Sequence, residues 1–405
     1  MAFLDRPRRR LALALLITAA CGDVVTPPGP PPTVKFCPTV TLPTWFAYHN
    51  EGESWVQLPT GTTGFAFEPA PRLTIAYAIA TELGAIVLVA SLSREELNAF
   101  QCPFPRGTRR LAGSVGNWKS GDEFVAVAMG PQSMTAEPDN STFAFTTLPD
   151  QPLDLVVEVA SIPRRIVILR DVMANDGATM PPVDIASSRV RLTDQFIATL
   201  EPADAPRVTP GYYFLTANGT SFHFVDGMSS GVPNQSVPFA MTRSGDVHGV
   251  SFRSGVFPEP TRYVANYFRE ATDRTITLGA LLGQPTFGVV SANPYLRLRM
   301  TLGSQTEYST YVLAQYSQMS PTGVAAFVNI LVSSGYLGAA PATWDVSIPD
   351  LSGAPGFESS WMLQSGVATA WTVEASSGAP FWRNTRPQDG LTVRTATRQS
   401  TLPPQ

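Results

Sequence analysis

Apolar and polar residues alternate at many places along this 405-residue chain. Between residues 296 and 302, leucine and methionine occupy every second position, and arginine or threonine fills the positions between them. Residues 222–224, 344–348 and 371–374 repeat the pattern. A period of two is typical of strands with one buried face. Because turn-forming residues separate these segments, we predict an all-β fold of several antiparallel β-sandwich-like domains in tandem.

One largely apolar stretch, residues 73–92, resembles a membrane span in composition. Its apolar residues alternate with smaller or more polar ones, and Thr81–Gly84 interrupts it. We therefore predict a β-hairpin that turns at this break. A short helix is predicted to follow directly, because Ser93 and Glu96 have the spacing of a capping box.

The first residues have the pattern of an export signal. Four arginines within residues 1–10 precede an apolar run over residues 11–20, which ends at Cys21. A basic segment, a short apolar segment and small residues before a cut site predict a secretory signal peptide over residues 1–20. The apolar run is too short to span a bilayer.

The end of this segment, Ile17-Thr18-Ala19-Ala20-Cys21, resembles the lipobox of bacterial lipoproteins. The resemblance implies cleavage before Cys21 and a diacylglycerol group on its thiol. The chain would then be exported and anchored in the bacterial cell envelope, at the outer membrane or the periplasmic face. An ordinary signal peptide that is cut near a cysteine is the alternative.

A lipidated N-terminus and proline-rich linker are predicted over residues 21–43, since prolines make this segment extended and semi-rigid. The chain has three cysteines. If Cys21 is acylated, Cys37 and Cys102 remain, and an oxidising compartment favours a disulfide between them. Two buried free thiols are the alternative.

Three β regions are predicted after the linker. Residues 44–109 form a small β domain with one short helix, and residues 185–405 form one large sandwich or two smaller ones. Residues 110–184 contain Gly113-Ser114-Val115, a strand at 124–129 and the turn Leu148-Pro149-Asp150. This order resembles the carboxypeptidase-regulatory-like, transthyretin-like β-sandwich. The resemblance implies a structural or binding module without catalytic residues.

Composition narrows the classes of function. Hydrophobic residues make up 44% of the chain and charged residues only 15%, which excludes disorder driven by charge. The net charge of -4 argues against a nucleic-acid partner, which needs a basic surface.

Candidate chemistry is sparse. None of the three histidines has the spacing of a zinc site, so we predict no metal and no cofactor. Asp246 and His248 flank Val247 and come nearest to an acid–histidine pair, with Ser244 or Ser251 as nucleophile. Clustering of surface polar groups explains them equally well. We therefore predict no catalytic residue, and the chain is more consistent with a non-enzyme.

Aromatic residues offer the last indication. Trp361, Trp371 and Trp382 cluster late in the chain, where they would stack on sugar rings or form a protein-binding patch. Core packing is the interpretation that we favour, and these three residues are possible ligand-binding aromatics. We expect a non-enzymatic binding or scaffolding lipoprotein that contacts the membrane through Cys21, with envelope proteins or glycans as candidate partners. The alternatives are an extracytoplasmic hydrolase acting on glycans and a structural spacer.

Overall fold

Strands account for nearly all regular structure in the part of the chain that the structure describes. The structure is a computed structural model, and it describes residues 33–35, 43–60, 64–98, 109–161, 164–174, 177, 179–187, 191–192, 194–201, 208–224, 230–256, 258–319, 323, 325–378 and 386–405. All of them belong to one unit, Pro32–Gln405. The prediction of an all-β fold is confirmed. The predicted signal peptide, Cys21 and most of the predicted linker lie outside the described residues.

The strands, in chain order, are β1 Thr33–Lys35, β2 Trp45–Asn50, β3 Val56–Gln57, β4 Gly64–Ala66, β5 Arg72–Thr81, β6 Gly84–Ser93, β7 Arg109–Gly116, β8 Phe124–Met129, β9 Gln132–Ala136, β10 Thr142–Leu148, β11 Leu153–Ala160, β12 Arg165–Val172, β13 Val183–Asp184, β14 Arg191–Leu192, β15 Asp194–Glu201, β16 Val208–Leu215, β17 Ser221–His223, β18 Pro233–Ser236, β19 Val247–Ser254, β20 Thr261–Phe268, β21 Arg274–Thr277, β22 Thr286–Ser291, β23 Arg297–Gly303, β24 Tyr311–Met319, β25 Ala325–Ser333, β26 Thr343–Ser347, β27 Thr369–Ser377 and β28 Thr392–Leu402. Two short helices, α1 Arg94–Asn98 and α2 Ser334–Leu337, and three 3₁₀ turns, Phe239–Met241, Thr306–Tyr308 and Ser359–Trp361, complete the described elements.

Hydrogen bonding joins the described strands into six sheets. The largest sheet has twelve strands in the order β17-β16-β19-β20-β28-β27-β24-β25-β6-β5-β2-β3. A five-stranded sheet has the order β14-β12-β11-β8-β9. The smaller sheets are β10-β7-β13, β18-β15-β21, β22-β23-β26 and the pair β1-β4.

The five-stranded sheet is buried on both faces, and every residue of β11 except Ala160 is buried, including the charged Asp154 and Glu158. Val125, Val127 and Val157 point into a core shared with the β10-β7-β13 sheet. Ala126 and Val156, which alternate with them, point into a second core shared with the strands β15, β16, β19 and β20. Residues 109–192 therefore contribute two facing sheets, as expected of a β-sandwich.

The twelve-stranded sheet also packs on both faces. The β22-β23-β26 sheet covers one face and encloses the largest core, in which Leu298, Met300 and Trp344 are buried as their alternation predicts. On the opposite face, Phe46, Ile75 and other apolar residues form a smaller core with Leu97 of α1.

The predicted hairpin at residues 73–92 is confirmed, with β5 and β6 paired along their whole length. The predicted capping box is confirmed as well. The backbone N–H of Ser93 donates to the Glu96 carboxylate at 2.9 Å, and the Glu96 N–H donates to Ser93 Oγ at 3.2 Å. The helix is shorter than two full turns.

Parallel pairing of β6 with β25 joins segments that are far apart in sequence. The strands of the predicted first region, residues 44–109, thus share a sheet with strands of the predicted last region, residues 185–405. The region boundary predicted at residue 109 does not coincide with the end of a sheet.

A buried ionic cluster joins the five-stranded sheet to the segment that precedes β19. Arg170 in β12 donates to Asp154 at 2.7 Å and to Asp246 at 2.7 Å, and both carboxylate side chains have 0% exposure. Arg170 also donates to the carbonyl of Met241 at 2.6 Å. Asn218 adds a 3.0 Å hydrogen bond to Asp154. Because the partners come from different sheets, this cluster fixes how the two layers meet.

Candidate binding face

The outer face of β16, β19 and β20, which points away from the second core, carries a group of tyrosines. Tyr213 in β16 is the register partner of both His223 and Gly249, and Gly249 is the partner of Tyr267 in β20. Since side chains alternate along a strand, these four residues form one row across the sheet. Tyr263, four residues before Tyr267, lies on the same face. We call Tyr213, Tyr263, Tyr267 and His223 the tyrosine face.

Gly249 is what allows the Tyr213 ring to lie across the sheet. A Cβ atom at position 249 would overlap the Tyr213 ring carbons. Gly211, two residues before Tyr213, approaches Ser251 closely enough that its own Cβ would crowd the serine hydroxyl. Glycine inside a strand often marks such a close approach. The sheet surface between the tyrosine rings is therefore formed by small residues.

The three phenol groups of the tyrosine face form one hydrogen-bonded group. The Tyr213 hydroxyl donates to the Tyr267 hydroxyl at 3.3 Å and lies 3.5 Å from that of Tyr263. Burial raises the pKa of Tyr213 and of Tyr267 above the ordinary value. The phenols of Tyr213 and Tyr267 therefore stay protonated at neutral pH and act as both donors and acceptors.

Exposure increases from the centre of the tyrosine face to its edge. Tyr213 is 8% exposed. Tyr263 and Tyr267 are half-buried, and His223 at the edge is exposed, with its ring 5.3 Å from that of Tyr213. A ligand on this face would meet ring edges, hydroxyl groups and one imidazole.

A polar row continues from Tyr263 across the neighbouring strands. Tyr263 pairs in register with Thr395 on the next strand, Thr395 pairs with Ser376, and Ser376 pairs with Tyr311. The Tyr311 hydroxyl donates to Glu374 at 2.8 Å. Burial raises the pKa of Glu374, and the hydrogen bond from Tyr311 opposes this shift. The face of the twelve-stranded sheet beside the tyrosine face is therefore polar and contains a carboxyl group that is hard to ionise.

Asp246 and His248, the acid–histidine pair considered from the sequence, have separate partners. The Asp246 carboxylate accepts hydrogen bonds from Arg170 and from the backbone N–H of Ala217 and of Arg243. His248 is buried in the second core, where its Nδ1 is hydrogen-bonded to the Tyr212 hydroxyl at 2.6 Å. Burial, together with Arg274, lowers the pKa of His248 to about 4. The imidazole is neutral at pH 7 and enclosed by aromatic rings.

The tryptophans singled out from the sequence do not form a surface in the described residues. Trp361 and Trp371 lie in the largest core, 8% and 4% exposed. Their rings pack against Phe357 and Phe287, so core packing, the interpretation favoured above, accounts for both. Trp382 lies outside the described residues, as do the lipid-attachment candidate Cys21 and the disulfide candidates Cys37 and Cys102.

The tyrosine face was missed at the level of sequence, although signals for it are present. Tyr263 and Tyr267 occupy positions of equal parity in one strand, and Gly249 lies inside a strand, where glycine often marks a close approach. Parity shows which residues share a face of their own strand. It does not show that β16, β19 and β20 are neighbours, and only their register brings the tyrosines together.

Comparisons with known proteins leave the family open. No protein-family model matches the chain, and no curated protein matches it as a relative. Within the described parts of the chain, no helix combines the length and the apolar character needed to cross a bilayer. The same residues contain no group of three or more His, Cys, Asp or Glu side chains placed to hold a metal ion.

Proposed function

We propose that this protein is a cell-envelope lipoprotein, anchored through lipid on Cys21, whose β-sheet body binds a glycan on the tyrosine face without catalysing a reaction. The row of Tyr213 and Tyr267 across the small residue Gly249 carries the binding part of this proposal. Aromatic rings with protonated hydroxyls offer both an apolar surface and hydrogen bonds, which is what a sugar ring presents in return.

The anchoring part rests on the sequence. The basic and apolar segments before Cys21, the resemblance to a lipobox and the proline-rich linker form one consistent arrangement. Mass spectrometry of the mature N-terminus tests it. We expect a diacylated cysteine at position 21. An unmodified Cys21, or a first residue elsewhere, would remove the anchor from the proposal.

A disulfide between Cys37 and Cys102 belongs to the same proposal. Strand β1, which ends two residues before Cys37, contacts helix α1, which ends four residues before Cys102. An extended chain covers about 3.3–3.6 Å per residue, so these distances in sequence allow the two thiols to meet. Peptide mapping without reductant should recover the two cysteines in one linked peptide. Alkylation of both thiols in the native chain would contradict the bridge.

Binding is tested by titrating the full-length protein with a panel of neutral oligosaccharides. Tyr263→Ala and Tyr267→Ala should each weaken the affinity about tenfold or more, because truncating an aromatic anchor typically costs more than about 1 kcal/mol. Phe327→Ala is the matched control. Phe327 is a 43% exposed aromatic residue in β25 of the same sheet, remote from the tyrosine face. If no oligosaccharide binds, or if all three variants bind like the wild type, the glycan proposal fails.

A further inference from the structure

A cavity of about 490 Å³ adjoins the tyrosine face at the end of β20. Its walls come from the turn before β19, from Arg269 and from the segment of residues 386–389 that precedes β28. Arg269 follows Tyr267 by two residues, and Val247, which also lines the cavity, precedes Gly249 by two. The cavity is thus the next position along the same strands and the same face.

Two arginines, Arg269 and Arg386, face this cavity without a carboxylate at ion-pair distance among the described residues. The guanidinium group of Arg269 lies 5.9 Å from the centre of the Phe239 ring. Arg386 donates to the backbone carbonyl of Thr216. Burial lowers the pKa of Arg386, although Asp246 and Asp154 oppose this shift. The Arg386 side chain is exposed, and no described carboxylate lies at ion-pair distance from its guanidinium group.

Two carboxylates also line the cavity, and both have other partners. Arg170 and two backbone N–H groups bind the Asp246 carboxylate, as described above. Asp389 accepts a 3.0 Å hydrogen bond from the backbone N–H of Arg269. Arg170 is shared between Asp154 and Asp246, so these three groups together keep one negative charge. Arg269 and Arg386 have no carboxylate at ion-pair distance among the described residues, and both guanidinium groups can therefore accept an anion as a partner.

We propose that Arg269 and Arg386 bind an oxyanion, a carboxylate or phosphate group, carried by the ligand of the tyrosine face. This inference rests on the proposed function and specifies its ligand as an acidic glycan. The planar guanidinium fork matches the geometry of carboxylate and phosphate oxygens. The cavity volume falls in the range of small-ligand sites, about 300–1,000 Å³. The neighbouring tyrosines would hold the adjoining sugar rings.

The test uses the full-length protein and two probes, D-glucuronate and inorganic phosphate, each titrated at low and high salt. We expect wild-type binding that weakens with added salt, since the charged groups are partly exposed. Binding should fall about tenfold or more in Arg269→Gln and again in the Arg269→Gln, Arg386→Gln double variant. The two probes separate a carboxylate site from a phosphate site.

Arg253→Gln is the matched control, because Arg253 is an exposed arginine on the outer face of β19 at the other end of the tyrosine face. It should bind both probes like the wild type. Circular dichroism and melting curves show whether the variants are folded, and Arg269→Gln keeps the test valid if the Arg386 variant is not. Binding of neither probe to the wild type, or equal binding by the wild type and the double variant, would overturn the proposal.

Neutral oligosaccharides separate this inference from the function on which it rests. If acidic probes bind through the arginines and neutral sugars do not bind at all, the oxyanion site is retained and the tyrosine face is refuted as a sugar site. If neutral sugars bind through the tyrosines and the acidic probes show no dependence on the arginines, the tyrosine face is retained and the oxyanion site is refuted.

Discussion

Replacing Arg170 with methionine should destabilise the protein strongly, because it removes the only cation in direct contact with the Asp154 and Asp246 carboxylates among the described residues. Both carboxylate side chains are fully buried, and the side chain of Arg170 is 11% exposed. Removing one partner of a buried ion pair typically costs about 3–5 kcal/mol, since the remaining charge is left in a medium that solvates it poorly.

The magnitude is limited by the hydrogen bonds that remain. Asp154 keeps its hydrogen bonds from Asn218 at 3.0 Å and from the backbone N–H of Asp171 at 3.1 Å. Asp246 keeps those from the backbone N–H of Ala217 at 2.6 Å and of Arg243 at 2.8 Å. These donors stabilise the ionised carboxylates in part. We therefore expect a loss of about 3–5 kcal/mol for the whole cluster rather than for each ion pair.

The assay is urea unfolding of the full-length chain at pH 7 and pH 5. In Arg170→Met, the two buried carboxylates have no counter-charge, so keeping them ionised costs free energy that protonation removes. The folded variant is then most stable when they are protonated, and it loses stability as the pH rises. The deficit relative to the wild type should thus be larger at pH 7 than at pH 5.

Two further variants test whether the unpaired buried carboxylates cause the loss of stability in Arg170→Met. Arg170→Met combined with Asp154→Asn and Asp246→Asn should recover much of the lost stability, because no buried charge remains. Arg299→Met removes a surface ion pair in which the side chains of Arg299 and Asp345 are 55% and 48% exposed. This variant should cause no measurable loss of stability. A deficit below about 1 kcal/mol at pH 7, or one that does not change with pH, would refute the reasoning.

Three other predictions concern a buried base, a buried acid and a close backbone approach. Burial holds the pKa of His248 at about 4 instead of 6.5, so stability present above pH 6.5 should fall by about 3 kcal/mol as the pH drops to 4. His248→Gln should flatten that profile in urea titrations, while His223→Gln, at an exposed histidine, should not. Burial raises the pKa of Glu374, so its contribution to stability is present at acid pH and lost as the pH rises. Glu374→Gln should therefore raise the melting temperature at pH 7 more than at pH 4, and an equal change at both would contradict this assignment. Gly84 has φ +144°, and a Cβ there would overlap the backbone of Ala325, so Gly84→Ala should lower the unfolding midpoint clearly. Gly288→Ala, with no atom within 4 Å of the added Cβ, is the control, and equal effects of the two would argue against close β6–β25 packing.

Local patterns in the sequence were sufficient for the local elements. Alternation located β23 and β26, and the break at Thr81–Gly84 located the β5–β6 turn. The strand predicted at residues 124–129 is β8 of the five-stranded sheet, although its apolar residues do not alternate with polar ones. The second helix, α2, begins at Ser334 and has no capping box to indicate it. Ser333 caps it, because its side chain accepts a hydrogen bond from the Tyr336 N–H.

Such local patterns do not predict which strands pair when they are far apart in the sequence. Nothing in the composition of β6 indicates that it pairs with β25, because both are ordinary apolar strands. Their pairing depends on how the other strands of the sheet are arranged. The candidate site has the same limitation. Tyr213, Gly249 and Tyr267 come from three strands, and Arg386 from a fourth part of the chain, so their proximity follows from sheet order alone.

The ionic cluster and the proposed oxyanion site are connected through Asp246. Its carboxylate is bound by Arg170 on one side, while the residue lines the cavity of Arg269 and Arg386 on the other. If Asp246 were not bound to Arg170, its negative charge would act undiminished on the nearby guanidinium group of Arg386. The contact that fixes the five-stranded sheet against the tyrosine-bearing strands therefore also sets the charge that a ligand meets. Weakened oxyanion binding in folded Arg170→Met, at a pH where Asp246 is ionised, follows directly from this connection.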